Sequence, residues 1–399
     1  MSLPRPLPGD LAHPFSPHGR ADPYPAYRWL RANDPVHFDV TSRMWLLTRH
    51  ADCVLALRDP RFSAALGQRE RVRQDDLPPS MLTTDPPEHQ RLRSPGALLM
   101  GPAAVRGVAG GISDEVDALL AGLAGRAEFD ATADIGEPFA TGALACLFGF
   151  PSADRPAFAD LARRTSVNLD PLAGPQAASA GRTAMGELTA FLDARADRAA
   201  ATGGAAIAGD VPASPFGRLA ADRRLSRAEM LGIASLAVVG GWKPLAEMVG
   251  NALHRLLPRP EVAEIVRGDG EAAVTAVDEL LRLESPIPFT VRVTTQAVAL
   301  DGDTIPAGSR VLALISAANR DPDVFDRPDD LVVTRSPNPH LAFGAGTHLC
   351  LGAPLVRQAG AALLNGLLNA YPGLHAVGSP PVWSPSLVPR RLERFTLAP

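Results

Sequence analysis

His340-Leu-Ala-Phe343-Gly-Ala-Gly346-Thr-His348-Leu-Cys350-Leu-Gly352-Ala-Pro-Leu-Val-Arg357, near the end of a 399-residue chain, places one cysteine inside a glycine-rich turn. Its glycines, Gly346 and Gly352 among them, let backbone approach a flat ligand closely and take up φ > 0 where the turn needs it. Backbone amides near a sulfur donate hydrogen bonds that favour thiolate over thiol, and thiolate is the metal-binding form. Phe343 could shield that sulfur from water. The plainer alternative is a glycine-rich turn holding an incidental buried cysteine.

The composition narrows the choice. The chain is 46% hydrophobic, carries a net charge of −4 and has a pI near 6.2. It has no long basic tract, so nucleic acid is a poor partner. The N-terminus lacks the basic-then-apolar run of a signal peptide, and no stretch approaches the ~20 apolar residues that span a bilayer. A cytoplasmic protein with no membrane partner is expected. The other two cysteines, Cys53 and Cys146, are distant in sequence and lie among apolar neighbours. They read as small hydrophobes rather than as a disulfide or zinc framework.

Helical patterns dominate outside the cysteine turn. Strand-like pieces occur near Pro35–Thr48 and after Arg292, and Val298–Ile315 reads as paired strands with Asp-Gly and Ala-Gly turn chemistry. Pro171–Gly181 and Thr202–Pro215 read as surface loops flanking a helix around Thr183–Ala199. Ser226-Arg-Ala-Glu229 has capping-box spacing, and the small and apolar residues after it run to Leu257, before Pro258. About 31 residues make a helix of roughly 46 Å. Apolar on most faces, it should run through the core and wall an internal cofactor cavity. No clean linker appears, so one large domain is expected.

The F-x-x-G-x-x-x-C-x-G turn resembles the haem-binding signature of cytochromes P450, and other segments match that family in order. Thr84-Asp-Pro-Pro-Glu-His89-Gln-Arg-Leu-Arg93 resembles its early helix start, where His89 and Arg93, at i and i+4, would grip a haem propionate. Glu279-Leu-Leu-Arg282 resembles its buried ion pair, and Asn319-Arg320-Asp-Pro-Asp-Val-Phe325 the segment packed on it. Arg292 and His348 match its other propionate contacts. The resemblance runs from Tyr24-Pro-Ala-Tyr-Arg-Trp-Leu to the C-terminal hairpin region. It implies a mainly α fold with small β-sheets, haem b bound through Cys350, and Phe343, Gly346 and Gly352 against the cofactor. It also implies dioxygen as co-substrate, with a ferredoxin and its reductase as electron donors.

One departure bears on chemistry. Where the family's long helix carries an [AG]-G-x-[DE]-T pattern, this chain has Gly240-Gly241-Trp242-Lys243-Pro244. Lys243 stands at the acid position and Pro244 at the alcohol position. Pro244 has no amide hydrogen and clashes with the carbonyl of Gly240, so the helix should bend or open there. Lys243, if desolvated beside the cofactor, would shuttle protons through a depressed pKa; otherwise it points outward or pairs with a carboxylate. Trp242 either narrows the pocket or packs in the core. The leading reading is a monooxygenase of specialised metabolism in which substrate or water assists proton delivery. Radical coupling or cyclisation, and a catalytically silent haem protein that recruits a partner, are the alternatives. Family analogy draws the pocket from the loop between Ser63 and Met81, the flanks of Pro171–Pro215, Gly240–Leu245, Pro286–Val291 and Ser386–Val388. These segments suit a medium-sized, largely apolar substrate.

Overall fold

The computed structural model describes residues 7–65, 80–170, 173–203, 214–268 and 270–399. Its principal helices, in chain order, are α1 (Tyr24–Asn33), α2 (His50–Arg58), α3 (Glu88–Met100), α4 (Ala109–Leu123), α5 (Glu137–Phe148), α6 (Pro175–Gly203), α7 (Arg227–Leu256), α8 (Gly270–Leu283) and α9 (Ala353–Ala370). The fold is mainly helical with small sheets, as the turn and the periodicity imply.

The long helix is α7, and it begins where the capping box places it. Ser226 N donates to Glu229 Oε2 at 2.8 Å, and the Ser226 hydroxyl accepts from the Glu229 amide at 3.3 Å. Ile233, Ala234, Ser235, Val239, Trp242, Glu247 and Met248 are all buried, so residues on most sides of α7 meet protein. Each large apolar side chain so buried contributes about 1.5–3 kcal/mol. Close approach of the turn before α5 needs Gly136, where an added Cβ would lie 2.3 Å from the Ala246 carbonyl oxygen. A larger residue there would push that segment off α7.

Strands lie within Pro35–Thr48 and Val298–Ile315 as expected, while Phe62–Ser63, Phe129–Asp130, His375–Ala376 and Thr396–Ala398 add short strands that the sequence reading does not include. One sheet has five strands in the order β1-β2-β8-β5-β3, from Val36–Asp39, Met44–Leu47, Arg310–Ala313, Thr290–Thr294 and Phe62–Ser63. A second joins β4 (Phe129–Asp130), β10 (Thr396–Ala398) and β9 (His375–Ala376). Strands β6 (Val298–Leu300) and β7 (Asp303–Ile305) form a hairpin. Its two central residues have positive φ, 52° at Asp301 and 82° at Gly302, which suits the right-handed twist of the flanking strands.

Two expectations need correction. Helix α6 begins at Pro175, so most of the loop read over Pro171–Gly181 is helical. The alanine-rich sequence sustains a helix, and Pro175 sits at its first position, where no amide is needed. Gly181 is used for packing rather than turning: an added Cβ would come within 2.5 Å of Val167 and Asn168 side-chain atoms. The second loop, Thr202–Pro215, falls mostly outside the described residues, as does most of the stretch between Ser63 and Met81.

The second correction concerns Pro244, where the helix does not open. Helix α7 is assigned unbroken through it. The turn is braced from its buried side: Trp242 Nε1 donates to Thr141 Oγ1 of α5 at 2.9 Å. Lys243 Nζ lies 3.1 Å from Glu137 Oε1 and 2.6 Å from Glu247 Oε1, the latter pair spanning Pro244. No helix among the described residues is long and apolar enough to cross a membrane.

Candidate functional site

The cysteine turn is closed by its own backbone. Cys350 N donates to the Phe343 carbonyl at 2.8 Å, and Gly344 N to that of Leu341 at 2.8 Å. Gly344 and Gly346 have φ of 71° and 69°, which a side chain would strain. A Cβ on Gly346 would also lie 2.5 Å from the Leu57 carbonyl oxygen, and one on Gly352 2.9 Å from Met100 Cε. The turn therefore has a fixed shape wedged between α2, α3 and α9.

That shape presents the Cys350 sulfur. Burial pushes the thiol up, while hydrogen bonds from the Gly352 and Ala353 amides, and the charges of Arg93 and Arg357, pull it back. The residue is nonetheless exposed, so the sulfur is set deep yet faces open space. A bound cation would displace the proton and complete the thiolate. Phe343 is buried under the Arg357 guanidinium, which sits 4.6 Å from its ring centre and pairs with Asp278 at 2.8 Å.

The four basic residues singled out in the sequence converge beside this turn. His89 and His348, 259 positions apart, meet with ring centroids 4.2 Å apart. Arg93 donates to the Leu349 carbonyl at 2.6 Å. Arg292 donates to Thr290 Oγ1 at 3.1 Å and the Val291 carbonyl at 2.8 Å, both on its own strand. Burial and the neighbouring positive charges pull His348 down to about 4, and burial pulls Arg292 down to about 10. His89 and Arg93 are also shifted down, chiefly by burial.

These residues are short of anions. None of the four makes a salt bridge among the described residues, although Asp85 lies close enough to favour the charge on Arg292. Both ring nitrogens of His89 lack a hydrogen-bond partner, although the residue is 1% exposed. Buried polar nitrogens without partners are costly, as are buried guanidinium groups without a counter-ion. A carboxylate-bearing ligand would relieve both. The donor set therefore fits the propionates of a haem whose iron meets Cys350.

On α7 the five residues of the departing motif divide by direction. Leu236, Gly240 and Pro244, four apart, are only partly buried or exposed, with Gly240 the most open. Trp242 is fully buried and belongs to the core. Lys243 turns to its two carboxylates, so the shuttling amine loses its basis and the ion-paired alternative holds. Glu247 was legible as the i+4 partner of Lys243. Glu137, 106 positions away, was not.

A prediction follows for this cluster. Burial pushes the Glu247 carboxyl up, with Lys243 the largest opposing influence; Glu137 is half-buried, and Arg163 and Lys243 bring it below its ordinary range. Lys243→Ala should leave two desolvated carboxyls short of a cation and cost about 2–4 kcal/mol near neutral pH. Without Lys243 both folded-state pKa values rise, so the loss should shrink as pH falls through the carboxylate range and both groups protonate. Denaturant unfolding of both proteins at neutral and acid pH checks this; a loss independent of pH would contradict it.

Comparison with known proteins covers nearly the whole chain. A family model described as Cytochrome P450 matches residues 273–372. The chain is 33% identical to the cytochrome P450 monooxygenase PikC of Streptomyces venezuelae, over 94% of its own length and 91% of that protein's. It is 35% identical to nocardicin C N-oxygenase of Nocardia uniformis subsp. tsuyamanensis, covering 92% and 93% respectively. The structure of the Bacillus subtilis 168 bacillaene polyketide synthase cytochrome P450 PksS superposes with a TM-score of 0.87 at 26% identity, over 97% of this chain and 99% of that one.

Proposed function

Because this chain belongs to the cytochrome P450 family and is similar to a bacterial cytochrome P450 monooxygenase and to nocardicin C N-oxygenase, we propose that it oxygenates a largely apolar specialised metabolite at a haem b ligated by Cys350. The observation that carries the assignment of residues is the pairing of an amide-supported sulfur with four converging, anion-poor basic residues, two arginines and two imidazoles. Bound haem supplies the activation of dioxygen, with electron density donated from the thiolate.

The protein's own residues would do the rest. The Gly352 and Ala353 amides hold the sulfur's charge, and Phe343, clamped by Arg357, keeps water from that side. His89, Arg93, Arg292 and His348 take the two propionates and so set the orientation of the ring. From Leu236 to Leu245 the only ionisable side chain is Lys243, already engaged by Glu137 and Glu247. No carboxylate or hydroxyl from that segment serves the reacting face, so a proton there would come through water or a hydroxyl of the substrate.

An apolar substrate is supported by the partly exposed Leu236, Ile287 and Val291 and by Leu82, which is 55% exposed. A ferredoxin and its reductase would deliver electrons. Radical coupling and a silent haem protein gain no support from the relatives. Turnover with a surrogate ferredoxin and reductase over a panel of apolar metabolites tests the proposal. A product heavier by one oxygen is expected. Loss of two hydrogens, or haem-loaded protein that converts nothing, would contradict it.

A further inference from the structure

Helix α8 ends at Leu283, and the next residue, Glu284, carries a fully buried carboxylate. It accepts from Tyr24 Oη at 2.7 Å, from Arg390 Nε at 2.9 Å and from Arg255 Nε at 2.9 Å, with Arg320 Nη2 3.7 Å away. Burial alone would raise its pKa, but Arg390, Arg255 and Arg320 hold it down at about 2, so the group is charged near neutral pH. Among the described residues neither Arg255 nor Arg390 forms an ion pair with any other carboxylate. Desolvating such charges is a poor way to gain stability alone, since apolar residues of similar volume serve as well. What the cluster does supply is a fixed geometry.

Arg390 turns that geometry into the placement of two loops. Its amide donates to the Pro286 carbonyl at 2.7 Å, and its own carbonyl accepts from Asn251 Nδ2 of α7 at 2.9 Å. Its guanidinium, besides meeting Glu284, donates to the Arg20 carbonyl at 2.5 Å and the Ala21 carbonyl at 3.2 Å. The Arg20 side chain then reaches the Pro385 carbonyl. One carboxylate thus ties both ends of 385–390 to the start of 286–291. Family analogy places these two segments against the substrate, and their tips meet. Phe289, Leu387 and Val388 are buried in one apolar cluster, with Ile287 and Val291 packed on it. Segment 286–291 runs directly into Arg292, one of the four basic residues beside the cysteine turn.

We infer that Glu284 is a positioning residue for substrate selection: through Arg390 and Arg20 it sets the separation of segments 286–291 and 386–388, and so the shape of the apolar pocket, without itself touching the ligand. Its charge is what holds the two together. A neutral amide in its place would keep the shape yet leave two guanidinium groups short of an anion, and the Arg390 tie would loosen. The inference rests on the haem-thiolate reading, which supplies the ligand's place between these segments and the cysteine turn.

The test is spectral titration of haem-loaded protein with two probes: imidazole, which needs only the iron, and 1-octylimidazole, whose tail must also fit the pocket. The wild type should bind the alkylated probe more tightly. Glu284→Gln should lower that preference about tenfold, the worth of one hydrogen bond to a charged group. Its affinity for imidazole and its carbon monoxide band should stay as in the wild type. General destabilisation would alter haem uptake or both affinities together, not their ratio. Should Glu284→Gln fail to fold, Arg20→Met strands no buried charge and cuts the tie to Pro385. It should lower the ratio roughly threefold, the lower end for a single hydrogen bond. An unchanged ratio in Glu284→Gln, or in Arg20→Met where the former does not fold, overturns the inference, as does imidazole affinity falling in step with octylimidazole. Wild-type protein with no spectral response to imidazole, or no gain from the tail, would instead sink the haem-thiolate reading with its apolar substrate.

Discussion

Glu279→Ala is expected to cost about 3–5 kcal/mol, because it strands a buried guanidinium. Glu279 and Arg282 are both fully buried, and they meet through two hydrogen bonds of 2.8 Å, one to each carboxylate oxygen. Arg282 also donates to the carbonyls of Asn319, Pro328 and Asp330 at 2.6–2.9 Å. The carboxylate in turn accepts from the Val332 amide and from Arg335 and Asn338 side chains. Three chain segments thus converge on one ion pair, in the region that leads into the cysteine turn. Since a folded domain has only about 5–15 kcal/mol to lose, much of the variant should fail to fold or to hold haem.

The same pair predicts an acid limit. Burial alone would raise the Glu279 pKa, but Arg282, the Val332 amide and Arg335 bring it below its ordinary range. A depressed carboxyl contributes stability above its unfolded pKa and loses it as pH falls through the folded one. Glu279→Gln should therefore narrow its deficit against the wild type in acid. Denaturant unfolding across that range measures both effects; a Glu279→Ala loss below about 1 kcal/mol would mean the pair is dispensable.

Cys350→Ser should behave in the opposite way, sparing the fold and removing the chemistry. The residue is exposed, and its turn is closed by backbone bonds that serine would keep. A serine hydroxyl is a far weaker donor to iron than a thiolate, so product formation should fall to background while unfolding of the haem-free proteins stays within about 1 kcal/mol. Wild-type-like turnover by the variant would exclude Cys350 as the ligand.

What could be read from the sequence was what depends on local rules. The capping box at Ser226, the Asp301-Gly302 hairpin and the i, i+3 pair Glu279–Arg282 are each specified by neighbours within a few residues, and each is found as expected. The four cations were legible only through resemblance, since His89 and His348 approach each other only after the chain folds. The start of α6 was missed because glycine and proline were read as loop punctuation. There proline opens the helix and Gly181 admits a neighbouring segment. That α7 continues past Pro244 was not legible, because its braces Thr141 and Glu137 lie on another helix and leave no trace near it in sequence.

All of these effects serve one ligation. Reduced, carbon monoxide-treated wild-type protein should give the red-shifted Soret band from which the family takes its name, the signature of thiolate ligation. Purified protein that takes up haem but shows a band of neutral-ligand type, or that binds no haem at all, would contradict Cys350 as the residue that would hold the iron.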